Sequence, residues 1–433
     1  MSKRRGVFFG WRVASVAFLV AVVAWGIGFY GPSIYVPVLH LTRGWSVSLI
    51  SAAVTTHFLV SAAVVARLSD LHRHYGIAAI TRVGVVALSV GVVGWAVATT
   101  PWQLFAAAIV TGTGFAATSG AAIHAMIQPW FVRQRPAALS LVLTGASVGG
   151  IVFGPLWAAS ISRLGFPLAA VSVAVVSLVI LWPLAGRFLR PTPEHFHLLP
   201  DGDSVSAAAA SGIRAQRREG SPRLRRTQVL RDRRFATMAA ASALGLFAQV
   251  GLLVHLVSYL TPLLGQSAAA TALSFTTMCA IVGRLVLGVF IGSMDRRLAF
   301  AANGLVQGSG VVLLALGTTP ITLFLGCVFF GFGVGNLIVV PPLIVQAEFD
   351  PADVGFVVAL ATAINQALFA LAPAAFGLLH DLTNNYSAAF TVALAMQIAS
   401  AALVLAWRHG RHGAADVQFE PGAPSTGYRT SDG

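Results

Sequence analysis

The chain has 433 residues, of which 57% are hydrophobic and only 10% charged, against about 25% charged in soluble proteins. A water-soluble surface cannot be built from so few charges, so a soluble enzyme and a disordered chain are excluded. A disulfide scaffold is excluded too, since Cys279 and Cys327 are the only cysteines and both sit in apolar runs. The net charge of +14, from 28 basic and 14 acidic residues, points to a membrane rather than to nucleic acid because of where the charges fall.

A helix needs about 20 apolar residues to cross about 30 Å of hydrocarbon. Six such stretches precede residue 188: roughly 12–38, 47–66, 77–98, 103–128, 137–161 and 167–187. Six more follow residue 234: roughly 236–263, 267–292, 298–317, 321–346, 354–379 and 387–407. Lys3, Arg4 and Arg5 precede the first run, but no small-residue cleavage site closes it, so it reads as a retained helix. The expected fold is an all-α polytopic membrane protein with twelve transmembrane helices in two pseudo-symmetric six-helix bundles. The expected units are an N-terminal bundle (1–187), a linker (188–233), a C-terminal bundle (234–407) and a polar tail (408–433). From Arg187 to Arg234 the chain holds 11 Arg against five acids, too polar to fold alone, so the linker is expected to be mostly disordered. Arg67, Arg73, Arg133, Arg135, Arg296 and Arg297 fall in short loops on the linker's side, and only Arg43 and Arg163 on the other. That positive-inside pattern is expected to put both termini in the cytoplasm; if the source is bacterial, the membrane is the inner one.

The halves echo each other. Ala66-Arg67-Leu68-Ser69-Asp70, with Arg73 and Gly76, follows the second span, and Gly292-Ser293-Met294-Asp295-Arg296-Arg297 follows the eighth. A weak six-helix repeat about a basic central loop is what two-bundle transporters show. The arrangement resembles the major facilitator superfamily, whose loop after the second helix carries a Gly-x-Leu-x-Asp-Arg-x-Gly signature; here Ala66 replaces the first Gly. Within that superfamily the chain is similar to the oxalate–formate antiporter and monocarboxylate transporter families. The matching segments are Gly10-Trp11, Gly44-Trp45-Ser46, Trp130-Phe131 with Arg133 and Arg135, Gly145 through Gly149-Gly150 to Gly154-Pro155, and Gly283-Arg284 with Gly288. In both halves the Asp–Arg pairs, Asp70 with Arg73 and Asp295 with Arg296, are candidate conformational switches.

Arg284 is the sharpest single signal. It lies about eight residues, or about 12 Å, from the linker-side end of its span. A charge so deep costs about 2.5–3.5 kcal/mol on insertion scales and should face a cavity or a partner. All 14 acids fall outside the expected spans, so a substrate carboxylate is the natural counter-ion for its planar guanidinium. Monocarboxylate transporters similarly carry a substrate-binding Arg in the eighth helix. One fixed cation suits a monoanion better than a dianion. Further candidate ligands are His255 with Tyr259 one turn on, and, by resemblance, Tyr30, Tyr35, Asn336, Asn365 and Gln366. His57 and His255 are the candidate proton sites, with His124 weaker. His72 with His74, and His195 with His197, lack the company a metal site needs. Gly112-Thr113-Gly114 and Gly331 to Gly335 read as close helix packing, not phosphate loops. Pro341-Pro342 and Pro373 are expected to break or kink helices.

The expectation is a monomeric secondary carrier of a small organic monoanion, by exchange or proton-linked transport, with no cofactor, no metal and no nucleic acid. An efflux carrier of amphiphiles and a non-transporting receptor of the same fold are the alternatives; an enzyme lacks any nucleophile–base constellation.

Overall fold

A computed structural model describes residues 8–196, 198–202 and 224–406. It is helical, with eleven helices long and apolar enough to cross a membrane, one of which is double. Gly165 divides that helix: at φ 75° and ψ 163° it holds a conformation that a Cβ would disfavour, and the chain turns back there. The twelve spans are α1 Phe9–Arg43, α2 Val47–Val65, α3 Ile77–Val97, α4 Pro101–Ile127, α5 135–164 and α6 166–188, then α7 Arg233–Leu264, α8 Gln266–Phe290, α9 Arg296–Leu316, α10 Pro320–Glu348, α11 Val354–Thr383 and α12 Ser387–Leu405. The end of the molecule reached by α6 and left by α7 is the linker face; the opposite end is the far face.

Small residues set how closely these helices lie. A Cβ on Gly114 of α4 would strike backbone atoms of Leu88 and Gly84 in α3. The corresponding pair in the second half repeats this, with Gly310 of α9 against backbone atoms of Phe330 and Gly326 in α10. Within the two glycine runs themselves, a Cβ on Gly112 would strike the backbone of His57 in α2 and one on Gly331 the backbone of Thr276 in α8, so both runs are seams between helices.

Several spans are interrupted, and the sequence supplies the reasons. In α1, Gly26 and Gly28 lie within a π turn over Trp25–Phe29 and Gly31 just after it, and Pro32 has no N–H to continue the ladder. The Tyr30 N–H donates to Trp25 O at 2.8 Å, and the Gly26 carbonyl accepts from Trp157 Nε1 at 3.3 Å. In α11 the break falls at Ala370 and Leu371, which puts Pro373 in the first turn of the next segment, where no donor is missed. In α10 the break is at Gly335, while Pro341 and Pro342 lie inside the segment Asn336–Glu348, not at the discontinuity expected there.

The linker face is tied by charges. Arg297, 3% exposed, bonds Glu348 through Nε and Nη2 at 2.6 and 2.8 Å and also reaches Thr237 Oγ1 and the carbonyls of Arg234 and Val404. One side chain thus joins α7, α9, α10 and α12. Described parts of the linker are ordered: a turn at Pro193–Phe196, and a helix Arg226–Arg231. Asp201 accepts hydrogen bonds from the backbone of Val132, Arg133 and Gln134 in the α4–α5 loop. Asp353, in the corresponding α10–α11 loop, accepts from Leu224 N at 3.1 Å. The rest of the linker, His197 and the 408–433 tail lie outside the described residues.

Candidate functional site

Arg284 stands where the two halves meet. It is six residues short of the end of α8, about 9 Å along the axis, and is partly buried. Its Nε donates to the Ala280 carbonyl at 3.3 Å, and its Nη2 donates to Ser147 Oγ of α5, in the other half. The glycine at the α10 break makes room: a Cβ on Gly335 would collide with the Arg284 side chain. Gly150 of α5 lies beside both Tyr30 and Thr277, so Tyr30 at the α1 break, α5 and α8 converge on one spot. Among the described residues no carboxylate pairs with Arg284.

A hydroxyl and a backbone carbonyl satisfy two donors of a guanidinium that has five. The arrangement therefore holds a cation with unspent hydrogen-bonding capacity at the seam between two bundles. Chemically it can bind an anion; nothing in it activates a nucleophile or moves an electron.

The other candidate residues are placed apart from it. His255 lies towards the far face, where Nε2 is 3.1 Å from the Pro373 carbonyl and must donate to it, and Nδ1 is 3.3 Å from Tyr386 Oη. Tyr259 donates to Leu314 O at 2.6 Å, a contact within the second half. Tyr35 is enclosed by Trp95, Trp157 and Phe166, with its hydroxyl donating to Ile27 O. His57 packs between α2 and α4; since Thr111 Oγ1 donates to a carbonyl of its own helix, His57 Nδ1 at 3.0 Å is the donor to that oxygen. Asn336 sits next to Gly335 but points away, to Asn303 Oδ1 at 2.8 Å. Asn365 and Gln366 line a pocket of 170 Å³ with Leu337, Pro341 and Phe369, and Asn365 Oδ1 is buried there without a hydrogen-bond partner. Asp70 and Arg73 pair at 2.9 Å along one exposed helical turn. Asp295 caps α9 through the N–H groups of Arg297 and Leu298, and Arg296 is exposed. His124 is exposed near the end of α4.

The bundles are hydrogen-bonded to each other from the level of Arg284 to the far face. Ser33 Oγ donates to Leu253 O at 2.6 Å, Ala374 N to Thr55 Oγ1 at 3.1 Å, and Ser48 N to Asp381 Oδ2 at 2.8 Å; Ser51 Oγ is 3.4 Å from His255 Nε2. Nearer the linker face than Ser147–Arg284, no hydrogen bond joins the halves among the described residues.

Residues 16–344 match the sequence pattern of the Major Facilitator Superfamily. The chain belongs to that superfamily. Its membership makes it a polytopic membrane transporter rather than an enzyme. A search of curated proteins finds no match. Solved structures of similar fold include the nucleoside transporter NupG, 13% identical with a TM-score of 0.68 over 92% of this chain and 98% of that one. A D-xylose–proton symporter is 13% identical, with a TM-score of 0.69 over 91% and 97%. A bacterial homolog of the human lysosomal transporter Spinster, inward-facing and occupied, is 14% identical, with a TM-score of 0.64 over 91% and 96%. At such identities these likenesses establish the fold alone.

Two residues that matter in this facilitator escaped the sequence reading. Ser147 carried no signal beyond its place between Gly145 and Gly149. Asp381 lies just beyond the expected eleventh span, 354–379, yet it caps the start of α2 from the other half of the molecule. Its signal would have been an acid just short of a span's end, opposite the exposed first turn of another helix.

Proposed function

We propose that this facilitator carries a small organic monoanion of the monocarboxylate type, with Arg284 as the carboxylate anchor. The observation that carries the reading is a partly buried guanidinium at the bundle interface with no carboxylate partner among the described residues. The substrate supplies the missing charge, and Tyr30 and Ser147 flank it. The bundles rock about this level in alternating access. The far-face hydrogen bonds through Asp381, Thr55 and Ser33 suit a state closed there and parted towards the linker face. The positive-inside pattern makes that face cytoplasmic and the termini internal. An empty Arg284 resists reorientation, because enclosing an unpaired cation costs several kcal/mol. Exchange of one anion for another is therefore favoured over return of the empty carrier.

The test is ligand-induced stabilisation of the purified protein by small carboxylates, compared with Arg284→Lys. Lysine keeps the charge but loses the planar fork, so binding is expected to fall at least about tenfold while the protein still inserts and melts normally. Unchanged affinity in Arg284→Lys removes the assignment.

A further inference from the structure

A second cation within the spans is unrelated to the site at the bundle interface. Arg82 of α3 lies five residues after Ile77, about 7.5 Å into a helix that is otherwise apolar. Its Nε donates to the Trp182 carbonyl of α6 at 3.0 Å, and the guanidinium carbon sits 4.9 Å from the centroid of the Trp182 ring. Gly186, one turn on, makes this possible, since a Cβ there would overlap the guanidinium. Among the described residues no carboxylate pairs with Arg82. The side chain is thus held in place by its inner edge, with its Nη groups free to bind.

What those groups face is a groove of 440 Å³ at the linker end of α3 and α6, rimmed by Tyr75, Gly76 and the exposed Arg190. Every lining residue belongs to the first half or to the first residues of the linker, and none to the second half, so the groove is separate from the seam that holds Arg284. Away from the rim, the large exposed side chains along the same two helices are apolar: Val83 and Val90 on α3, Val175, Val176 and Val179 on α6. Trp182 is 44% exposed and Tyr75 61% exposed, the amphipathic rings that settle at the level of lipid headgroups. A charged end continuous with an apolar strip has the polarity of a phospholipid.

We propose that this groove binds an anionic phospholipid, its phosphate held by Arg82 and Arg190 and its acyl chains lying along Val83 and Val179. A guanidinium fixed by its Nε presents the remaining donors to phosphate oxygens in the paired geometry that suits them. The apolar strip is what selects a lipid over a soluble phosphate.

The experiment is a titration of delipidated full-length protein with short-chain phosphatidylglycerol, phosphatidylcholine, and inorganic phosphate, read as thermal stabilisation. Phosphatidylglycerol is expected to bind at least about tenfold more tightly than either of the others, and Arg82→Gln to abolish that preference. Arg190→Gln, on the exposed rim, keeps the test open if Arg82→Gln does not fold, and is expected to weaken the preference and lower its salt sensitivity. Equal binding of the two lipids, equal effect of inorganic phosphate, or a preference unchanged in both variants would each overturn the proposal.

Discussion

Arg284 and Arg297 show how differently one residue type is used in a single apolar chain. Arg297 is spent completely: its donors go to Glu348, Thr237 and two carbonyls, and it is 3% exposed. Replacing it with alanine leaves the carboxylate of Glu348 without its guanidinium and removes a donor from Thr237 and from two carbonyls. We expect Arg297→Ala to lose about 3–5 kcal/mol of stability, measured by denaturant unfolding in detergent, whereas neighbouring Arg296→Ala changes it by less than about 0.5 kcal/mol. A loss equal in both variants would contradict the assignment. The sequence singled out Arg296 beside Asp295, because adjacency is all that a linear reading offers. The true partners of Arg297 come from α7, α10 and α12, and no periodicity announces them. Arg284 was legible for the opposite reason: its signal is the lack of acids in the apolar runs, which composition alone exposes.

Among the elements, the spans are legible because hydropathy is a property of the chain, and their ends are not. The first span was expected over 12–38 and runs Phe9–Arg43; the seventh was expected over 236–263 and runs Arg233–Leu264. Helices continue beyond the apolar core wherever backbone bonds and caps allow, and Asp232 does so for α7 by accepting from Arg234 N at 2.8 Å. Burial raises the Asp232 carboxyl, but the hydrogen bonds and charge of Arg234 outweigh it and hold the carboxyl below its usual range. The interruptions were half-legible: Pro373 marks one, but the break beside Arg284 is at Gly335 and not at the prolines that follow. The α5 glycines carry a testable consequence at this scale. A side chain on Gly150 would meet Thr277 and Tyr30, and over-packing of this kind costs about 1–3 kcal/mol. Gly150→Leu is expected to abolish most of the stabilisation by carboxylates, while Gly120→Ala, where a Cβ meets open space, leaves it intact. The readout is the ligand-dependent shift in melting temperature, and retention of that shift in Gly150→Leu would sink the packing argument.

For the whole molecule, the halves are hydrogen-bonded through Ser33, Thr55 and Asp381 towards the far face and, among the described residues, by no hydrogen bond nearer the linker face than Ser147–Arg284, the pattern that the proposed alternating access requires of one end-state. Asp381 is the far-face contact that spends a charge on a helix N-terminus, and it crosses between the halves. Asp381→Ala should loosen that face and raise the labelling rate of a cysteine placed at Ser51 several-fold, with the substrate-bound protein returning towards the slow rate. No change in labelling would mean that Asp381 serves α2 alone. In the proposed function a carboxylate travels as the counter-ion of Arg284. The most direct test is counterflow of radiolabelled lactate-sized monocarboxylates in proteoliposomes preloaded with the unlabelled acid. Fast counterflow by the wild-type protein, slow net uptake into empty liposomes, and loss of counterflow in Arg284→Lys are expected. Counterflow that persists in Arg284→Lys, or no movement of any small carboxylate by the wild type, would contradict the proposed function.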